Sequence, residues 1–200
     1  MSRVLRAGVL ALQGDVREHA AVLDRLGADV VLVRRPEHLE GLDAIVLPGG
    51  ESSAIDKLMR IFELRDPLRE ALAQGLPALG TCAGLILLAD RVLDAAPGQE
   101  QLGGLDVTVR RNAFGAQNQS FETDLEVPEV SAEPIHAVFI RGPVVESVGE
   151  GARAIGTLPD GRIVAVAQGS LIGISFHPEV AGEDRFHRRL LALAEARRAG

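Results

Sequence analysis

The sequence has one cysteine, no tryptophan and no tyrosine, and six phenylalanines. A lone cysteine cannot form a disulfide within the chain or a cysteine-rich metal site. Because disulfide-free proteins are typical of the reducing cytosol, we expect a cytoplasmic protein. With so few aromatic side chains, the core must consist mainly of valine, leucine, isoleucine and alanine.

Long apolar runs and an excess of positive charge are also missing. No uncharged apolar run reaches the roughly 18 residues of a membrane span, and the start lacks the apolar core of a signal peptide. The net charge of −7 argues against a nucleic-acid partner. We therefore expect neither a membrane nor a nucleic-acid partner. The length of 200 residues suits one core, so we expect a single domain over residues 1–200.

The stretch at 80–84 reads G-x-C-x-G and contains the cysteine, Cys82. Apolar runs predict a buried strand at 77–79 and a helix at 85–89, so the stretch matches the strand-to-helix elbow G-x-S-x-G with sulfur in place of oxygen. Gly80 and Gly84 lack a Cβ, which lets strand and helix approach closely. A helix N-terminus favours the nucleophilic thiolate, whereas the structural alternative is a buried, inert thiol.

Apolar patterning predicts an α/β fold. Strands at 4–12, 29–33 and 43–47 alternate with helices at 16–26, 52–59 and 67–73, which is typical of βαβ units, and Ser52 and Ser53 are predicted helix caps. Six later runs predict short strands and an antiparallel section, at 105–109, 121–127, 137–140, 153–158, 163–168 and 171–176. A final helix is predicted at 183–198. We expect a mixed, mainly parallel central sheet flanked by helices.

A nucleophilic thiolate needs a histidine as base, and the histidine needs an orienting group. His177 ends an apolar strand and precedes Pro178 and Glu179. Proline keeps the preceding residue extended, so His177 and Glu179 share a face, and the carboxylate can hold one imidazole nitrogen while the other faces Cys82. The alternative is an exposed turn. The remaining histidines are expected at the surface: His19, His38, His136 and His187.

An acyl intermediate also needs donors for its oxyanion. A glycine-rich segment at 48–52 follows the third predicted strand, where Gly50 can turn a backbone N–H into the site without steric cost. The N–H of Ala83, just after the nucleophile, is the natural second donor. The alternative for the segment is a plain glycine-rich turn.

Six motifs follow one another along the chain: G-V-L-A-L-Q-G at 8–14, P-G-G-E-S-S at 48–53, G-T-C-A-G-L-I at 80–86, R-N-A-F-G at 111–115, F-I-R at 139–141 and H-P-E at 177–179. In this order they resemble the glutaminase subunits of pyridoxal 5′-phosphate synthase, a family of class I glutamine amidotransferases with a Cys-His-Glu triad. The triad motifs occur throughout that superfamily. The L-Q-G, G-G-E-S and R-N-A-F-G motifs are much narrower and point to the glutaminase-subunit family.

The resemblance implies a flavodoxin-like glutamine amidotransferase fold and hydrolysis of L-glutamine to L-glutamate and ammonia. It implies that the ammonia passes to a synthase subunit that builds pyridoxal 5′-phosphate (vitamin B6), with no metal or cofactor bound to this chain. The triad would be Cys82, His177 and Glu179. The residues that match the family's glutamine contacts are Gly49, Gly50, Glu51, Arg111, Ile140 and Arg141.

Two positions depart from the family's usual pattern. Ala116 stands where arginine is usual, and Gly142 where alanine is usual, which leaves contacts at the mouth of the site and the partner surface open. Two alternative functions also remain at this stage. One is a glutaminase for another acceptor, such as in histidine biosynthesis. The other is a non-catalytic thiol sensor or binding module, which would need neither Glu179 beside His177 nor glutamine turnover.

Overall fold

The computed structural model describes residues 3–113 and 120–200. In these residues it contains twelve strands, five α-helices and one short 3-10 helix, Pro36–Leu39. In chain order the strands and α-helices are β1 (Arg6–Leu10), α1 (Val16–Arg25), β2 (Asp29–Val33), β3 (Ala44–Leu47), α2 (Ser52–Ile61), α3 (Arg65–Ala73), β4 (Ala78–Thr81), α4 (Ala83–Leu88), β5 (Ala89–Leu93), β6 (Leu105–Arg110), β7 (Ser120–Leu125), β8 (Ile135–Ile140), β9 (Val144–Val148), β10 (Arg153–Thr157), β11 (Ile163–Gln168), β12 (Leu171–Ile174) and α5 (Arg185–Ala199).

The central sheet has the strand order β2-β1-β3-β4-β12-β11-β9-β6-β5, with β10 paired to β11. The strands from β2 to β12 in this order are parallel. Strand β11 is antiparallel to β12, β10 and β9, and β9 is antiparallel to β6. Strands β7 and β8 form a separate antiparallel pair. The mixed, mainly parallel sheet with an antiparallel section is therefore confirmed.

The core lies on both faces of this sheet. Strands β3, β4 and β12 are buried along their whole length, as expected for parallel strands covered by helices on both sides. Buried aliphatic residues dominate both faces. The aromatic contribution is a short series in which the rings of Phe139 and Phe186 each lie 5.5 Å, centroid to centroid, from that of Phe176. The prediction of a mainly aliphatic core is confirmed.

Several local predictions were wrong. Strands β5 and β9 were not predicted, and Ala89, predicted to end a helix, begins β5 because α4 has only six residues. Ser52 and Ser53 do not cap α2. Glu51 is the N-cap residue, and its carboxylate accepts hydrogen bonds from the backbone amides of Ser53 and Ala54. A longer acidic side chain thus satisfies the helix N-terminus, and Ser52 becomes the first helical residue. In the described parts of the chain, no helix has both the length and the apolar character that crossing a membrane requires.

Candidate active site

The predicted site residues come mainly from the carboxyl ends of three neighbouring parallel strands, β3, β4 and β12. They are joined there by Arg111, which follows β6, and by Ile140 and Arg141 at the end of β8. Ligand sites of open α/β sheets occur at this edge, because the loops after adjacent parallel strands come together there. A cavity of about 360 Å³ opens at this edge. Its lining residues are Asp15, Gly50, Glu51, Ser52, Cys82, Ile86, Arg111, Asn112, Ile140, Arg141, His177 and Val180.

Cys82 lies in the strand-to-helix elbow that the sequence predicted. It is the N-cap residue of α4 and has a φ of 50°, a conformation that residues with a Cβ adopt at a cost. Its backbone N–H donates to Ile174 O of β12 at 2.8 Å, which ties the elbow to the neighbouring strand. A Cβ on Gly84 would lie 2.0 Å from the Leu47 carbonyl oxygen, and one on Gly80 would lie 2.6 Å from the Gly84 backbone. The elbow therefore requires glycine at both flanking positions.

His177 lies between Cys82 and two carboxylates. Its Nδ1 lies 2.9 Å from Glu179 Oε1 and 3.3 Å from Asp15 Oδ2. Burial alone would lower the pKa of His177, but hydrogen bonds with Asp15, Cys82 and Glu179 raise it to about 12. The ring is therefore an imidazolium at neutral pH. The structure therefore brings Cys82, His177 and Glu179 together, as the sequence predicted.

The glycine-rich loop after β3 is held by the segment at 13–15 that follows β1. The Gln13 side-chain oxygen accepts from the Glu51 backbone N–H at 2.8 Å, and the Asp15 backbone N–H donates to Gly49 O at 3.0 Å. A Cβ on Gly49 would lie 2.6 Å from His177 Cε1, so only glycine permits this approach. Because the peptide is planar and trans, the Asp15 bond to Gly49 O also sets the direction of the Gly50 N–H.

Charged groups of both signs surround the cavity. Arg111 Nη2 donates to Glu51 Oε1 at 2.8 Å. Burial alone would raise the pKa of Glu51, but hydrogen bonds from Ser53 and from backbone amides, together with the Arg111 charge, lower it below its ordinary value. Ile140 ends β8, and Arg141 follows it into the cavity lining. A pair of cationic forks beside a carboxylate suits a zwitterionic amino acid.

Two of the histidines expected at the surface are fully buried instead. His19 of α1 and His187 of α5 are both inaccessible to solvent, because each helix turns that face onto the sheet. Spacing could have shown this, since His19 precedes Val22 by three positions and His187 precedes Leu190 by three, in the periodicity of a buried helix face. His136 lies in β8 and is exposed, as expected, and His38 lies in the 3-10 helix and is half-buried.

Asp15 is the main residue of the candidate site that the sequence did not single out as a site residue. It contacts the same imidazole nitrogen as Glu179 and has a half-buried side chain. Its signal in the sequence was its place directly after the first strand, which neighbours β3. Of the family motif at 111–115, Arg111 and Asn112 line the cavity, whereas Phe114, Gly115 and the unusual Ala116 lie outside the described residues. The unusual Gly142 is buried next to Arg141.

Comparisons with known proteins identify the family of this chain. The family model "SNO glutamine amidotransferase family" matches residues 9–194. The "Pyridoxal 5'-phosphate synthase subunit PdxT" of Leifsonia xyli is 60% identical over 192 residues, which cover 96% of this chain and 97% of the relative. The subunit of the same name from Kineococcus radiotolerans is 58% identical, with 96% of each chain covered.

A solved structure shows that the similarity to glutamine amidotransferases extends to the three-dimensional fold. A chain described as "Crystal structure of glutamine amidotransferase" superposes with a TM-score of 0.88 at 48% identity. The match covers 94% of this chain and 98% of the other. On the match over residues 9–194 and the identities to these relatives, the chain belongs to the SNO glutamine amidotransferase family.

Proposed function

We propose that this protein hydrolyses the side-chain amide of L-glutamine to L-glutamate and ammonia, as the glutaminase subunit of a pyridoxal 5′-phosphate synthase. The observation that carries the reaction is the His177 imidazole, held by the Glu179 carboxylate beside Cys82 at the cavity. The ammonia acceptor is inferred from relatives that are named as synthase subunits and that match this chain over nearly their whole length. These relatives favour this acceptor over one in histidine biosynthesis.

The chemistry follows acyl transfer through a thioester. The Cys82 thiolate attacks the amide carbon, and the negative charge on the carbonyl oxygen is stabilised by the backbone N–H groups of Gly50 and Ala83. His177 gives its proton to the departing nitrogen, so that ammonia leaves and a thioester to Cys82 remains. Water then attacks the thioester while His177 takes its proton, and the products are glutamate and the original thiolate. Glu179 keeps His177 oriented and stabilises its charged form.

The groups around the cavity position the amino-acid end of glutamine. Arg111 and Arg141 are suited to its carboxylate, and Glu51 is suited to its ammonium group. Gly49 allows the close approach of the loop to His177, and Ile140 supplies an apolar edge. This division of charge also explains why a substrate with both an amine and a carboxylate would be preferred.

Ammonia release must be coupled to the synthase subunit, or it would be lost. The bond from the Asp15 N–H to Gly49 O holds the glycine loop in one orientation, and the segment at 13–15 with α1 lies at the same edge of the sheet. Docking of the synthase on this segment would break that bond, let the Gly49–Gly50 peptide turn and complete the oxyanion site. We further propose a cytoplasmic location, because a nucleophilic thiol must stay reduced.

Glutamine labelled with ¹⁵N in the side-chain amide tests the proposal. Labelled ammonia and glutamate should form in equal amounts when the protein is mixed with the synthase subunit of a close relative, and the same mixture with pentose and triose phosphates should yield labelled pyridoxal 5′-phosphate. Absence of glutamate release in the mixture would refute the glutaminase assignment. Glutamate release without label in pyridoxal 5′-phosphate would refute only the assignment of the ammonia acceptor.

A further inference from the structure

A buried polar cluster lies behind the triad, on the side of Glu179 away from His177. It consists of His19, Thr81 and His187, all with 0% of their surface exposed. His19 Nδ1 lies 2.8 Å from His187 Nε2, and His19 Nε2 lies 3.2 Å from Thr81 Oγ1. The same His19 Nε2 lies 3.5 Å from Glu179 Oε2. The cluster thus reaches the carboxylate oxygen that His177 does not use.

The second oxygen of Glu179 needs a donor. The side chain is fully buried, and no well-formed hydrogen bond reaches Oε2 from the residues that the structure describes. A buried carboxylate oxygen that lacks a hydrogen-bond donor costs free energy. His19 Nε2 stands at the long end of hydrogen-bond distance, and such contacts in ligand-free sites commonly tighten when the catalytic complex forms.

Burial determines the charge of both histidines in the cluster. Burial, followed by the charges of His187 and His177, lowers the pKa of His19 well below its ordinary value. Burial likewise lowers the pKa of His187 to about 4, although the Asp184 and Glu183 charges oppose this. Both rings are therefore neutral at pH 7. The cluster offers Glu179 an N–H dipole rather than a second cation, so it does not compete with His177 for the carboxylate charge.

Hydrogen-bond accounting selects one tautomer for each ring. With the proton on Nε2, His187 donates to His19 Nδ1, and His19 donates from Nε2 toward Thr81 and Glu179. The atom left over is His187 Nδ1, which has no partner among the described residues and is then only a lone pair. The opposite tautomers would bury an unpaired N–H at His187 Nδ1 and aim a lone pair of His19 at the carboxylate, which costs more.

We propose that His19 is a positioning residue that holds Glu179 Oε2 through its Nε2–H, and that His187 fixes the tautomer of His19. This inference rests on the proposed glutaminase function. His19 touches neither substrate nor reacting atoms. It acts by keeping the Glu179 carboxylate aligned, and Glu179 in turn holds His177.

Matched variants separate positioning from packing. His19→Leu removes the donor at similar volume, whereas His19→Gln places an amide nitrogen near the position of Nε2. His187→Leu leaves His19 in place but removes the donor that fixes its tautomer. His38→Leu is the control, since His38 lies in the 3-10 helix outside the cluster.

Glutamate release by each variant should be followed with the synthase subunit bound, over a range of glutamine concentrations. His19→Leu should lower kcat about tenfold or more with KM nearly unchanged, because the lost donor weakens the support of His177 through Glu179. His19→Gln should restore most of the lost kcat, His187→Leu should be intermediate, and His38→Leu should match wild type.

The wild-type protein provides a test that does not depend on variants folding. Imidazole ¹⁵N shifts should show His19 and His187 each protonated at Nε2 and not at Nδ1. A His19 protonated at Nδ1, a His19→Leu enzyme with wild-type kcat, or a His19→Gln enzyme as slow as His19→Leu would each overturn the proposal. An inactive wild-type complex would instead refute the glutaminase function, and the tautomer measurement would still decide the geometry.

Discussion

Replacing Glu179 by glutamine removes one charge and leaves the shape of the site unchanged. In the structure, Glu179 Oε1 accepts from His177 Nδ1 at 2.9 Å and Oε2 faces His19 Nε2 at 3.5 Å. Glutamine has only one acceptor oxygen. If that oxygen keeps the bond to His177, the amide NH₂ faces the His19 N–H, and two buried donors oppose each other. Glu179→Gln therefore weakens the contact with His177 and the contact with His19.

The size of the effect follows from the charge pair. Two unit charges about 4 Å apart attract by about 4 kcal/mol at an effective dielectric constant of about 20. Each 1.4 kcal/mol or so of barrier is tenfold in rate, so a complete loss would slow turnover by roughly a thousandfold. Asp15 remains 3.3 Å from the same nitrogen and offsets part of the loss. We expect glutamine turnover to fall at least roughly tenfold and less than a thousandfold.

Steady-state glutamate release in the synthase-bound state measures this effect, and the melting temperature shows whether the variant folds. Glu122→Gln is the matched control, because Glu122 is an exposed glutamate of the separate sheet pair β7–β8. Its turnover should equal wild type. A folded Glu179→Gln protein with wild-type turnover would show that the carboxylate does not support His177.

Four further outcomes are expected. Cys82→Ala should abolish glutamine hydrolysis with an almost unchanged melting temperature, and substantial activity in pure material would exclude the thiol as nucleophile. The free protein should hydrolyse glutamine slowly and the synthase subunit should raise the rate strongly on titration, whereas a high, flat rate would mean a preformed oxyanion site. Gly84→Ala should lower the free energy of unfolding by more than about 3 kcal/mol, because its Cβ would lie 2.0 Å from the Leu47 carbonyl oxygen, and a wild-type urea midpoint would contradict this close approach. Burial lowers the pKa of His187 from 6.5 to about 4. The contribution of the neutral His187 ring to the free energy of unfolding is therefore complete above pH 6.5 and is lost as the pH falls toward 4. It should amount to about 2 kcal/mol between pH 7 and pH 5, and in urea unfolding His187→Gln should lose that part of the pH dependence.

Features encoded by neighbouring residues could be predicted from the sequence. The elbow at Cys82 needs only two glycines between an apolar strand and an apolar helix. The contact of His177 with Glu179 joins residues two positions apart, although Pro178 and Glu179 lie in a turn and not in the extended segment that the sequence predicted. Alternating strands and helices at short spacing likewise predict a parallel sheet, because such strands pair through right-handed crossovers. In each case the physical cause lies within a few residues of its effect.

Features that depend on which distant segments meet could be decided only by the tertiary structure. Strand β12 pairs with β4, and this pairing brings His177 to Cys82, while the contact of Asp15 with His177 requires the loop after β1 to reach the same edge. His19 and His187 were expected in water but bond to each other across 168 positions of sequence. For such a polar residue, helical spacing to apolar positions is the only local sign of burial, and this spacing does not identify the partner. Its burial is determined when the helix packs against the sheet, because the surrounding apolar area then outweighs the cost of burying one neutral, hydrogen-bonded ring.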